Sequence, residues 1–376
     1  MKSSFVNLLR SGLLAILLSG CVHPPTLPID ASDALDQAIE QERKRQGVVG
    51  VAVGVIRHGK VVYLKGYGHA DREKNLPVTT QTLFRWASIS KPVTAIAAMQ
   101  LVAQGKLGLD DDVRLHVPEF PYKGTKITIR QLMCHQGGIV HYSNGAVVPT
   151  VRNYGQPHPY ANVTLALDTF KDSPLVNEPG EKYSYSTHGY ILLSAAVQRA
   201  GGSAFFEQVH QRINQPLGGL MIIPDYQWLD LPGRSVGYRR VGGRVIRDSD
   251  TDVSWKLGGG GFISRIGDLA GFAAGLINGQ LVSQDSEKLM WTPQSSADLK
   301  TNYGLGFTVE KKNGTLKVSH NGSQEKARTR MVIYPEQKHG IVVMCNSRFA
   351  DPAKFSTAAY RALASARTKP TAISSN

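Results

Sequence analysis

Strand-forming runs lie at the two ends of this 376-residue chain and are sparse between them. Residues 48–56 and 61–67 are rich in β-branched side chains and flank Arg57-His58-Gly59-Lys60. That arrangement predicts a β-hairpin. Strand signals return at 304–311, 315–319, 328–334 and 340–345. Residues 32–45 and 91–104 carry apolar residues at helical spacing, each with a glycine next to its end. Further helices are predicted at 164–171, 189–200, 204–214, 266–277 and 353–366, with Thr128 capping a short one through Cys134. The expected fold class is α/β (α+β): one sheet built from both chain ends, flanked by helices, with an inserted, mainly helical subdomain.

The first residues read as an export signal. Lys2 and Arg10 precede a short apolar run at 13–18, too short for a permanent span. Leu18-Ser19-Gly20-Cys21 then matches a lipoprotein signal with Cys21 as the lipidated residue. The expected layout is a signal peptide at 1–20, a Pro-rich tether at 21–31, a catalytic domain at 32–366 and a tail at 367–376. Val22 after the cysteine favours an outer-membrane address, facing the periplasm. Formal net charge is +14, of which Lys2 and Arg10 supply two. A basic surface favours anionic lipid or cell-wall neighbours. The basic residues are scattered without a binding motif, which argues against nucleic acid. Cys134 and Cys345 lack CxxC spacing, and a disulfide between them stays open.

Several patterns carry chemistry. Ser88 and Lys91 form SxxK at the start of a predicted helix, where the two side chains share one face. A serine hydroxyl needs a base to become a nucleophile. A second SxxK, Ser323–Lys326, falls in an apparent turn. Tyr185 precedes a helix and suits a general base if cationic neighbours lower its pKa. His320-Asn321-Gly322-Ser323 follows a short strand and suits an edge strand beside the substrate, with a strand-end turn as the alternative; Gly322 permits close backbone approach, and the Ser323 N–H suits an oxyanion donor. Gly54 to Lys60 matches GxxxxGK, but Val61 replaces the metal-binding hydroxyl and the context is strand and turn, not a phosphate loop. HExxH and GxSxG are absent. Cys134, His135 and His141 make zinc conceivable, with capping and turn packing the simpler reading. No metal or cofactor is expected.

In their order along the chain, the three motifs resemble the serine β-lactamase and D,D-peptidase superfamily, especially its class C-like, penicillin-binding-protein-type branch. Stretches such as Ala87-Ser88-Ile89-Ser90-Lys91, His135-Gln136-Gly137-Gly138 and Gly258-Gly259-Gly260-Gly261-Phe262 are closer still to the mitochondrial serine β-lactamase-like protein and its bacterial relatives. The resemblance implies a β-lactamase/transpeptidase-like fold with an antiparallel sheet. It implies Ser88 as nucleophile, Lys91 as its activating partner and Tyr185 as a base that also serves the leaving group. The N–H groups of Ser88 and Ser323 would form the oxyanion hole. Thr187, His320, Asn321 and Gly322 would contact substrate. Thr187 stands where the family has Asn, and His320 where it has the Lys of Lys-Thr-Gly; a neutral imidazole weakens carboxylate binding, with Arg328 and Arg330 as candidate substitutes. The first reading is a serine peptidase or amidase on peptides, cell-wall fragments included. Alternatives are a β-lactamase, a carboxylesterase and, outside catalysis, a covalent acyl-binding sensor or a structural envelope protein.

Overall fold

The computed structural model describes residues 26–295 and 299–367. The chain enters through α1 (Ile29–Gln46), which opens after Pro28 and ends at Gly47 in the left-handed conformation. The tether expected at 21–31 therefore ends earlier: Pro28 presets the first turn, and Asp30 complements the helix dipole. Strands β1 (Gly50–Arg57) and β2 (Lys60–Asp71) form the expected hairpin. Its two turn residues, His58 and Gly59, both have positive φ, as a tight hairpin turn requires. The GxxxxGK segment is therefore strand and turn. Short strands β3 (Leu76–Pro77) and β4 (Phe84–Arg85) lead to α2 (Ser90–Ala103). Next come α3 (Ile129–Met133), with a Thr128–Gln131 capping box, α4 (Thr187–Gly201) and α5 (Phe205–Val209). Strand β5 (Ile223–Pro224) and the hairpin β6 (Tyr238–Val241) and β7 (Arg244–Arg247) precede α6 (Leu257–Gly260), β8 (Phe262–Ser264), α7 (Ile266–Ile277) and α8 (Gln284–Met290). Strands β9 (Thr308–Lys312), β10 (Thr315–Gln324), β11 (Ala327–Tyr334) and β12 (His339–Cys345) and helix α9 (Pro352–Arg367) complete the described chain.

The main sheet has seven strands in the order β3-β2-β1-β12-β11-β10-β9, each pair antiparallel. Both chain ends contribute to it, as the distribution of strand signals requires. Alternation along each strand assigns two faces. Val51, Val53, Val55, Val332, Ile341 and Val343 pack with Leu35 and Ile39 of α1 and Phe355 and Ala359 of α9. Ala52, Ile56, Met331, Ile333, Val342 and Met344 face a second, larger core with α2 and α7. The result is helix, sheet, helix in three layers.

The inserted region is less helical than expected. It also holds a three-stranded sheet, β4-β8-β5, and the β6–β7 hairpin. These strands are two to four residues long, too short for a period-2 signal to register. Cys134 and Cys345 are buried and unpaired, one in each core, so the open disulfide is not formed. Among the described residues, no helix is long and apolar enough to cross a membrane. Cys21 and the export signal lie outside the described residues.

Candidate active site

Ser88 lies in a 3-10 turn, Ala87–Ile89, that runs directly into α2. Three bonds clamp the segment just before it. Trp86 N–H donates to the Phe262 carbonyl at 2.8 Å, Trp86 Nε1 donates to Ser264 Oγ at 2.7 Å, and Thr329 Oγ1 donates to the Trp86 carbonyl at 2.7 Å. Ala87 has φ +49°, a left-handed conformation that costs a β-carbon residue about 1 kcal/mol. The turn thus holds Ser88 partly exposed while its neighbours are buried.

One helical turn later, Lys91 is 0% exposed. Its Nζ lies 3.1 Å from Ser88 Oγ, 3.1 Å from Thr187 Oγ1 and 2.7 Å from the Gly259 carbonyl oxygen. Burial, reinforced by the charge of Lys256, pushes its pKa well below the usual lysine range. Gly259 belongs to α6, wedged between α2 and α4. A Cβ there would meet Thr187 Cγ2 at 2.7 Å, so only glycine brings this carbonyl onto Nζ.

Tyr185 sits just before α4, with its hydroxyl hydrogen-bonded to Ser88 and its ring centroid 4.8 Å from Lys91 Nζ. The expectation that cations lower its pKa is not met. Burial raises it, because the phenolate would lose its hydration there. The segment is held from behind by two histidines. His135 Nδ1 accepts the Ser186 N–H and His141 Nδ1 accepts the Thr187 N–H, each at 3.2 Å. These are the histidines for which zinc was conceivable; their Nδ1 lone pairs are already used. Among the described residues, no group of three His, Cys, Asp or Glu side chains is placed to hold a metal.

Strand β10 closes the other side. Residues 320–323 lie within this strand, not after it. Pairing with β9 stops at Ser319, whereas pairing with β11 continues to Gln324. Beyond Ser319, β10 is therefore a free edge beside the Ser88 turn. Counting back from the hairpin end at Gln324–Ala327, the Ser323 N–H falls on that edge. A Cβ on Gly322 would meet Thr329 Oγ1 at 2.0 Å, the Trp86 carbonyl at 2.3 Å and Ala87 Cβ at 3.1 Å. Gly322→Ala should push the strand off the turn. Its kcat/KM should fall about 100-fold and its stability by about 1–3 kcal/mol, read by steady-state kinetics and urea unfolding.

Register also sorts the remaining expected contacts. His320 pairs with Met331 and faces the larger core with the nucleophile. It is 4% exposed; Nδ1 donates to the Asn321 carbonyl and Nε2 accepts from the Tyr303 hydroxyl, both at 2.8 Å. Burial lowers its pKa to about 3, so the imidazole is neutral. Asn321 pairs with Arg330 and Ser323 with Arg328, on the opposite face. Asn321 Oδ1 accepts from Arg330 Nη1 at 2.6 Å, and Arg328 Nη1 donates to the carbonyls of Gln324 and Ala327. The Asn321 side chain and both arginines are thus turned away from Ser88 and cannot replace the missing lysine. Thr187 is 2% exposed, and its hydroxyl oxygen accepts from Lys91 Nζ. The second SxxK is not brought together either: Lys326 is ion-paired with Asp250.

Lys256 belongs to the site although no sequence motif marks it. It stands beside this cluster, its Nζ over the rings of Trp255 (5.3 Å) and Tyr142 (5.9 Å).

The chain matches the beta-lactamase family model over residues 35–366. It is 28% identical to the mitochondrial serine beta-lactamase-like protein LACTB of Mus musculus, over 85% of this chain and 76% of that one. It is 30% identical to the putative penicillin-binding protein PbpX of Bacillus subtilis, over 73% of this chain and 65% of that one. The octameric penicillin-binding protein homologue from Pyrococcus abyssi superposes with a TM-score of 0.74 at 27% identity, covering 90% of this chain and 78% of its own. The chain belongs to the beta-lactamase family and is a serine hydrolase of that fold.

Proposed function

We propose that the protein hydrolyses amide bonds of peptide-like substrates through an acyl-enzyme on Ser88. The observation that carries this reading is the arrangement around Lys91 Nζ. A neutral amine has two N–H groups and one lone pair. The Gly259 carbonyl and Thr187 Oγ1 take the N–H groups, which leaves the lone pair for the Ser88 hydroxyl. Lys91 then accepts the Ser88 proton as Oγ attacks the carbonyl carbon. The oxyanion forms against the N–H groups of Ser88 and Ser323. Tyr185, kept protonated by burial, donates to the departing nitrogen and recovers a proton from Lys91. Water attacks the ester by the reverse route and releases the acid. An acid poised beside Ser88 favours amides, whose nitrogen must be protonated to leave. A neutral His320 disfavours β-lactams, whose carboxylate would meet an uncharged ring.

The test compares a peptide p-nitroanilide, a p-nitrophenyl ester and a penicillin, each with wild type and Ser88→Ala. Anilide and ester should be cleaved, and Ser88→Ala should cleave neither. The penicillin should show at least about tenfold lower kcat/KM than the anilide. Penicillin turnover above that of the anilide would replace this reading with a β-lactamase.

We further propose that the mature chain is anchored in the cell envelope through lipid on Cys21, facing the periplasm. The support is the order of basic residues, short apolar run and Leu18-Ser19-Gly20-Cys21. A Cys21→Ser precursor should leave the membrane fraction on detergent-free fractionation. Unchanged membrane partition would overturn the anchor.

A further inference from the structure

Tyr185 presents its hydroxyl to Ser88 from residues 182–186, which belong to no helix or strand. Regular backbone hydrogen bonding therefore does not fix its aim. Two bonds from one residue do. The His135 carbonyl accepts the Ser184 N–H at 2.8 Å, and His135 Nδ1 accepts the Ser186 N–H at 3.2 Å. The two bonds bracket Tyr185 along the chain. Between them the rings of His135 and Tyr185 lie against each other, with centroids 4.2 Å apart and planes tilted by 41°.

His135 is itself held in place. It follows α3, whose last residue, Met133, accepts from the Tyr190 hydroxyl of α4 at 2.6 Å. It is 2% exposed and has φ +61°, a left-handed conformation uncommon for a residue with a β-carbon. Because Nδ1 accepts, the neutral ring carries its proton on Nε2. That N–H is buried and has no hydrogen-bond partner among the described residues. Around the ring stand Tyr183, Tyr190 and Tyr303. The left-handed backbone and the unpaired donor both cost stability. An aliphatic side chain would avoid the unpaired donor but offer nothing to Ser186.

We propose that His135 is a positioning residue that, through its Nδ1 bond to Ser186, aims the Tyr185 hydroxyl at the departing nitrogen. This rests on the acyl-enzyme reading above, in which the C–N bond breaks as the nitrogen takes the Tyr185 proton and Lys91 returns one to Tyr185. Without the Nδ1 acceptor the Ser186 N–H is left unpaired, the 184–186 segment shifts and the acid misses the nitrogen. His141 does not substitute, because its Nδ1 is taken by the Thr187 N–H at the start of α4. A leaving group that needs no proton is less affected. His135 thereby sets how well the site cleaves amides relative to activated esters.

The test compares kcat/KM, which reports acylation, for the p-nitroanilide and the p-nitrophenyl ester of the same N-acetylated peptide, per active site titrated with a fluorophosphonate. His135→Leu should lower the anilide-to-ester ratio at least about tenfold. His135→Asn puts an amide oxygen where Nδ1 stands and should keep the ratio within about threefold of wild type. His135→Gln carries its oxygen one bond further out and should behave as the leucine variant; it decides the matter where His135→Leu does not fold. Tyr185→Phe should lower the same ratio, and His135→Leu should add little to it in that background. The proposal is overturned if the leucine and glutamine variants keep the ratio within about threefold of wild type, or if His135→Asn lowers it as much as they do. An unchanged ratio in Tyr185→Phe would instead overturn Tyr185 as the acid, and with it the reading on which the proposal rests.

Discussion

Lys91→Met should lose about 10²- to 10⁴-fold in kcat/KM while its melting temperature stays within a few degrees of wild type. The loss follows from position: Nζ is the amine within reach of Ser88 Oγ at 3.1 Å, and methionine offers no basic nitrogen. The retained stability follows from burial. Lys91 is fully enclosed and its pKa is driven down because the charged form is costly there. Methionine matches the aliphatic stem and removes that cost. It also leaves the Gly259 carbonyl without its donor, which costs about 1–3 kcal/mol and offsets the gain. Steady-state kinetics with parallel thermal melts check both halves. A variant that loses activity and stability together would make Lys91 a structural residue.

The second large effect is acid instability. Four histidines around the site are buried and neutral: His135, His141, His188 and His320. Burial is the leading cause in each, pushing His141 and His188 down to about 4, His320 to about 3 and His135 well below its ordinary value. The unfolded chain protonates these rings near 6.5, whereas the folded chain resists until about 4 or below. Stability is therefore full above pH 6.5 and falls as the pH drops from there towards 4. A tenfold difference in proton affinity between the folded and unfolded chain corresponds to about 1.4 kcal/mol. Four such groups together are comparable to the whole stability of an ordinary domain. The protein should begin to unfold between about pH 5 and 4. His188→Gln should reduce proton uptake on unfolding at pH 5.5 by about one, measured from the pH dependence of urea unfolding. A midpoint flat from pH 7 to 4.5 would contradict the neutral assignment.

The fold was legible where a local signal and the tertiary structure agree. The β1–β2 hairpin follows from two β-branched runs around His58-Gly59, and α7 from an unbroken apolar periodicity at Ile266–Ile277. Ser88 and Lys91 were legible because three-residue spacing at a helix start aligns side chains whatever the rest of the chain does. Residues 320–323 read as an edge strand beside the substrate or as a strand-end turn, because Asn-Gly-Ser is turn chemistry just after a strand signal. Pairing with β11 overrides that preference and hides Asn321 on the far face. Strand register is not written in local sequence, so nothing there tells that Arg328 and Arg330 point away from Ser88. Lys256 escaped notice because a lone lysine shortly before four glycines has no motif. Its place comes from Tyr142 and Trp255, brought to it by the fold.

The most direct test of Ser88 as an activated nucleophile is intact-mass spectrometry of the folded protein after exposure to a fluorophosphonate, beside Ser88→Ala and Lys91→Met. The expected result is a single adduct that maps to Ser88, is absent from Ser88→Ala and forms at least about 100-fold more slowly in Lys91→Met. Absence of labelling in the folded wild type, or equal labelling of Ser88→Ala, would contradict it.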